Sequence, residues 1–397
     1  MLSLPPSTAT ATTVACMKTN PILDRLGSYP IAELQEKARA MAAQGTPLID
    51  FSVGDPREPT PDFIPAALRD AVPVVSQYPT TSGLPRLRRA VAEYVARRFG
   101  VEVDPDRNVL PTSGSKEAIF STPLAFVDPS AGDAVIWATP GYPIYERGTA
   151  LAGGEGFPVV LSDDFILRPE QIPDEVWKRA SIVWTNYPHN PTGALASRAD
   201  VEVMYRKARS TDTWMMADEC YVDIYEEARP PSVLEVAEDG LVGTLSFLSL
   251  SKRSGMTGYR SAVIVGDARA ISALRALRTS TGTASAEFVQ AAAIAAWGDD
   301  EHVAERRRVF TAKRAVLRAA FERIGYPVVA SNAGLYLWVE VGDDAAIAEK
   351  LLSAGVLVSP GRAFGSGGEG YIRLALVPTL EESEHAVEVL TTCLTEN

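Results

Sequence analysis

Residues 249–260 read SLSKRSGMTGYR and follow directly on the apolar run Leu245, Phe247, Leu248. That run has the length and make-up of a strand buried on both faces, which places Lys252 at the end of a buried strand. An ammonium there is unfavourable unless its amine is paired, deprotonated or covalently occupied. On this stretch alone a structural ion pair, a solvated surface loop and chemistry all remain open.

Similar apolar runs bounded by turn residues occur at 134–138, 181–185, 213–217 and 262–265. None alternates as a half-exposed strand would. Between and around them lie amphipathic stretches at 84–99, 200–209 and 268–277, the first with Leu84, Leu87, Val91, Tyr94 and Val95 on one face. Strand and helix in alternation predict an α/β fold with a mostly parallel central sheet covered by helices. From about residue 299 the texture changes to a long helix at 301–324, strands at 335–341 and 371–376, and helices at 344–354 and 380–394, which predicts a smaller α+β domain. The expected organisation is a disordered leader at 1–16, an N-terminal arm at 17–52 packed on the small domain, a large domain at 53–297 and a small domain at 298–397. Met17 is an alternative start.

The 397 residues, 46% hydrophobic and 22% charged, suffice for two cores. A net charge of −12 argues against phosphate-backbone binding, so no nucleic acid is expected. The leader lacks a basic start and is broken by Pro5 and Pro6, and no apolar run reaches the roughly 18–20 residues of a membrane span. Cys16, Cys220 and Cys393 are far apart, as are His189, His302 and His385, so neither disulfides nor a metal are expected and a reducing cytoplasm fits.

In a parallel sheet, ligands gather at the carboxyl ends of the strands. The residues there form a set: Asn190 in NYPHNPTGA, Asp218 and Tyr221 in ADECY, Lys252 in SLSK. Upstream, TSGSKEAIF puts Gly114 and Ser115 at a helix start suited to a phosphate, and Ser249 and Arg260 add a hydroxyl and a charge. Each has a plainer reading: a turn at Asn190, a helix cap at Asp218, a core ring at Tyr221. Jointly they match pyridoxal 5′-phosphate, which needs a lysine for its aldehyde and an anion, Asp218, for its ring nitrogen.

At these residues the chain resembles the fold-type I, class I/II aminotransferases, whose NPTG, D-x-x-Y and S-x-S-K-x(7)-R signatures appear in order and at the family's spacing. The likeness covers nearly everything from Met17 onward. It implies that Lys252 is the Schiff-base lysine and the catalytic base, with Asp218 and Tyr221 beside it. It implies phosphate contacts at Ser113, Gly114, Ser115, Ser249 and Arg260, and a stacking ring at Tyr142. Arg373 in GYIRLALV matches the clamp for the substrate α-carboxylate, near Gly54 and Asn190. Tyr78 matches a tyrosine that reaches the phosphate of a neighbouring subunit, which implies a homodimer with shared active sites.

Stretches outside these motifs, NPILDRLGSYPIAEL, YPTTSGLPRLRRAV and VQAAAIAAWGDDEHVAERR, resemble N-succinyldiaminopimelate aminotransferases. NYPHNPTG and PGRAFGSGGEGYIRLALV look more like LL-diaminopimelate or general aspartate and aromatic aminotransferases. The expected reaction is ping-pong amino transfer between glutamate/2-oxoglutarate and N-succinyl-LL-2,6-diaminopimelate, with the LL-diaminopimelate or broad aspartate/aromatic activity as the alternative. A C–S lyase or synthase on the same scaffold and a cofactor-sensing regulator are the competing classes. Arg25, Arg57 and Arg253 are read as surface residues.

Overall fold

The computed structural model describes residues 18–27, 32–238 and 240–395; the leader at 1–16 and Met17 lie outside them. The central sheet has seven strands in the order Val109–Thr112, Ala262–Gly266, Thr244–Ser249, Trp214–Asp218, Ala180–Thr185, Ala134–Thr139, Glu155–Val160. One strand, Ala262–Gly266, runs against the other six. Its link from Thr244–Ser249 holds a single helical turn, Leu250–Arg253, so no crossover helix carries the chain back to the other end of the sheet. The reversal matters for the site, because the start of this strand lies at the same sheet edge as the carboxyl ends of its neighbours.

Every residue of Thr244–Ser249 is buried, and apolar clusters cover both faces of the sheet. Val109–Thr112 and Glu155–Val160 are absent from the sequence expectation, as is the helix Glu287–Trp297. Both strands are sheet edges and each contains a proline, Pro111 and Pro158, which an edge tolerates and a central ladder does not. The helix is apolar almost all round, so it lacks a helical period.

The C-terminal region builds a four-stranded antiparallel sheet in the order Ser359–Pro360, Tyr371–Ala375, Tyr336–Glu340, Val328–Val329. Helices Glu301–Arg323, Asp344–Ser353 and Leu380–Thr395 pack with it around a separate apolar cluster. The N-terminal segment joins this region: Ile49–Asp50 pairs in parallel with Val356–Leu357, and Ala38 packs against Leu352 and Leu357. Ser52 and Gly54 thereby reach the crevice between the two sheets. No helix among the described residues is long and apolar enough to cross a membrane.

Candidate active site

A cavity of about 300 Å³ opens at the carboxyl edge of the large sheet, at the small end of the roughly 300–1,000 Å³ of ligand sites. Its wall includes Gly54, Ser115, Tyr142, Asn190, Asp218, Tyr221, Ser249, Lys252, Arg260 and Arg373. Their strands converge from distant parts of the chain, and the reversed strand brings in Arg260 just before its start. Ser113 and Gly114 lie immediately beside this wall without lining it. Tyr78 does not line it and is fully exposed.

Lys252 sits in the one-turn helix capped by Ser249, whose hydroxyl accepts from the Ser251 N–H at 3.1 Å. Its Nζ donates to the Gly54 carbonyl. Part of the side chain faces the cavity, yet the amine lies deep enough that burial pushes its pKa down to about 8, against the Asp55 carboxylate and with the help of Arg260 and Arg373. Such an amine is largely neutral a little above physiological pH, a nucleophile and a proton acceptor.

Asp218 ends its strand fully buried. It accepts from the Tyr145 hydroxyl at 2.9 Å and from the Cys220 N–H at 3.3 Å. Burial raises its pKa, with these two donors opposing. Among the described residues it forms no ion pair. Tyr221 is buried, and its hydroxyl meets that of Tyr336 at 2.8 Å.

Arg373 extends from the small sheet into the crevice between two aromatic rings, its guanidinium carbon 4.5 Å from the centroids of both Tyr336 and Phe364. Nη1 donates to Asn190 Oδ1 at 2.9 Å and Nη2 to the Ser52 carbonyl, while Nε is buried with no hydrogen-bond partner among the described residues. The Asn190 amide nitrogen is then left to face the cavity, and the Asn190 backbone is held by Asn186 Oδ1 at 2.9 Å. Arg260 adopts φ of +54°, a left-handed conformation that costs a non-glycine residue energy, and Nη1 donates to the Thr257 carbonyl at 3.0 Å. Opposite it, Gly114 caps the helix Ser115–Ser121 at φ of +96°, and a Cβ there would collide with the Arg260 guanidinium. Only glycine lets that cation lie against the helix start.

Sequence reasoning missed Tyr336, Phe364, Gln35, Lys116 and Cys220 on the cavity wall. Cys220 and Lys116 were within reach, since they lie between or next to residues already singled out in ADECY and SGSK. Tyr336 comes from an apolar strand that carries no polar cue, and Phe364 from a short turn, Gly361–Phe364, in a glycine-rich stretch whose sequence does not say where it folds. Arg253 corrects its surface reading: it is buried, pairs with Asp223 at 2.8 Å and Asp300 at 2.9 Å, and is turned away from the cavity. Arg25 and Arg57 do lie at the surface, Arg57 paired with Glu382 at 2.7 Å.

These features suit pyridoxal 5′-phosphate. A buried carboxylate without a cation matches a pyridinium nitrogen, a lysine with a depressed pKa matches an aldehyde, and a guanidinium over a helix start matches a phosphate. The model of the family "Aminotransferase class I and II" matches residues 46–390. A curated LL-diaminopimelate aminotransferase of Desulforudis audaxviator (strain MP104C) is 39% identical over 379 residues, 93% of this chain and 96% of the relative. Another so named, from Nitratidesulfovibrio vulgaris (strain DSM 19637 / Miyazaki F), is 37% identical over 381 residues, 92% and 97% of the two chains. A solved structure of a probable N-succinyldiaminopimelate aminotransferase from Thermus thermophilus superposes with a TM-score of 0.86 at 28% identity, covering 92% of this chain and all of that one. With its mostly parallel sheet, its cavity and these relatives, the chain belongs to the class I and II aminotransferases and is a pyridoxal-phosphate-dependent enzyme of that family.

Proposed function

We propose that this enzyme moves an amino group between LL-2,6-diaminopimelate and 2-oxoglutarate, forming glutamate, by a ping-pong route in the cytoplasm. The chemistry is carried by one observation: the Lys252 amine, the Asp218 carboxylate and the Arg373 guanidinium line one cavity. The substrate choice is supported by the two relatives named LL-diaminopimelate aminotransferase. That favours the alternative over the N-succinyl substrate first expected from sequence. The N-succinyl compound remains a second reading because of the Thermus structure.

When bound, the cofactor supplies an aldehyde that takes up the amino group and a ring that accepts electrons. Lys252 would hold that aldehyde, and its amine is placed to move the proton at the substrate Cα as general base. Asp218 keeps a proton on the ring nitrogen, because a buried anion without a cation favours one at that position. Tyr221 and the Asn190 amide would donate to the ring's 3-oxygen, and Tyr142 would supply the stacking ring. Ser113, Gly114, Ser115, Ser249 and Arg260 would hold the phosphate. Arg373 grips the substrate carboxylate with its planar fork, oriented by Asn190 and the two flanking rings, next to Gly54.

Tyr78 serves a neighbouring copy. It projects fully exposed from a loop whose Val74 and Val75 are also exposed, an apolar edge suited to a homodimer contact. The test of substrate is a panel of amino donors against 2-oxoglutarate. LL-diaminopimelate should exceed N-succinyl-LL-diaminopimelate, aspartate and phenylalanine in kcat/KM by at least about tenfold. A ranking led by the succinylated compound would replace the substrate assignment, and pyruvate with ammonia as products would replace the reaction class.

A further inference from the structure

Tyr336 is the first residue of the strand Tyr336–Glu340 and is 3% exposed. It stands where three parts of the site meet. Its hydroxyl lies 2.8 Å from that of Tyr221, with the two rings edge to face at 5.4 Å and 72°. Its ring is one of the two that flank the Arg373 guanidinium. A Cβ on Gly54 would come within 2.8 Å of its oxygen, so the backbone that receives the Lys252 amine passes close over the same hydroxyl.

Burial raises the pKa of both phenols, so each keeps its single proton. A pair of hydroxyls with one mutual hydrogen bond has a direction. If Tyr221 gives its proton to a cofactor oxygen, only its lone pairs are left for Tyr336, and Tyr336 has to donate. A hydroxyl that accepts one hydrogen bond becomes a stronger donor in the next.

We propose that Tyr336 is a positioning residue whose O–H donates to Tyr221 and so commits the Tyr221 proton to the cofactor's 3-oxygen. This rests on the reading of Tyr221 given above. The competing role is packing alone, as the floor beneath Arg373. The variant Tyr336→Phe separates the two, because it keeps the ring against Arg373 and removes only the hydroxyl.

The measurement is the pH midpoint of the bound cofactor's visible absorbance band in wild type, Tyr221→Phe, Tyr336→Phe and the double variant. A donor on the 3-oxygen draws electron density from it and lowers the proton affinity of the neighbouring nitrogen. Tyr221→Phe should therefore raise the midpoint. Tyr336→Phe should raise it in the same direction by about half a unit, on the scale of one lost hydrogen bond. The double variant should match Tyr221→Phe alone, since the outer hydroxyl acts only through the inner one. The apo-protein gives a second readout by fluorescence titration with pyridoxal 5′-phosphate. Dissociation constants should rise about three- to tenfold in either single variant and no further in the double. KM for the amino donor should stay within about twofold in Tyr336→Phe, because the cation–π support of Arg373 is intact.

An unchanged midpoint and affinity in Tyr336→Phe, with Tyr221→Phe shifted, overturns this inference and leaves the role of Tyr221 standing. Full additivity in the double variant overturns it as well. No shift in Tyr221→Phe removes the Tyr221 assignment itself and the inference with it.

Discussion

At the scale of the residue, the site is expensive for the empty protein. Lys252 is held near pH 8 against 10.5 for an unhindered lysine, a difference of up to about 3 kcal/mol. Since its folded pKa is depressed, the folded state binds fewer protons than the unfolded chain between about pH 8 and 10.5. The penalty is therefore complete below that window and fades as the pH rises through it. Lys252→Met should raise the unfolding free energy of the apo-protein at pH 7 by about 1–3 kcal/mol, read as a higher urea midpoint at unchanged m, and the gain should shrink by pH 10. A variant less stable at both values would mean that the amine is held by favourable contacts. Asp218 tells the same story with opposite charge. Burial favours its neutral form, so Asp218→Asn should leave apo stability unchanged or higher while lowering turnover at least about a hundredfold through loss of the ring's anion. Steady-state kinetics beside thermal melts give both numbers. Arg373→Lys should raise KM for the amino donor about ten- to a hundredfold, since an ammonium cannot reproduce the bidentate fork.

At the scale of the element, the five inner strands and the long helices were legible because burial on two faces leaves continuous apolar runs and burial on one leaves a helical period. Thr244–Ser249 and Pro85–Phe99 carry those marks in full. The two edge strands were not legible, because an edge is excused from the rules that make a strand recognisable: Pro111 and Pro158 sit where no second neighbour needs an N–H. The reversed direction of Ala262–Gly266 was equally hidden, since direction depends on the length and content of a link and not on the strand itself. Much of the site could still be read, because Asp218 ends a strand and Gly114, Lys252 and Asn190 come within a few residues of a strand end. Tyr336 and Phe364 could not, as Tyr336 reaches the cavity from a strand that otherwise reads as core and Phe364 from a turn in a glycine-rich loop. The same contrast predicts stability. Ile264→Ala, in a central strand with no exposure to speak of, should cost about 2–4 kcal/mol. Val160→Ala, on an edge and 54% exposed, should stay within about half a kcal/mol by chemical denaturation.

At the scale of the whole molecule, the cavity is a seam. The large sheet contributes Lys252 and Asp218, the small sheet contributes Arg373 and Tyr336, and the N-terminal segment threads Ser52 and Gly54 between them while pairing through Ile49–Asp50 with the C-terminal region. Binding at such a seam couples the cofactor half to the substrate half through one set of hydrogen bonds. In the proposed homodimer the exposed loop carrying Val74, Val75 and Tyr78 would extend this logic to a second copy. Sedimentation should report twice the 42.6 kDa chain mass, and Tyr78→Phe should weaken cofactor retention without altering that mass. The whole account turns on which nitrogen carries the cofactor. The enzyme loaded with pyridoxal 5′-phosphate is reduced with borohydride, digested and mapped by mass spectrometry: the pyridoxyl group should be found on Lys252, and its appearance on Lys116 or any other lysine, or on none, would contradict the account.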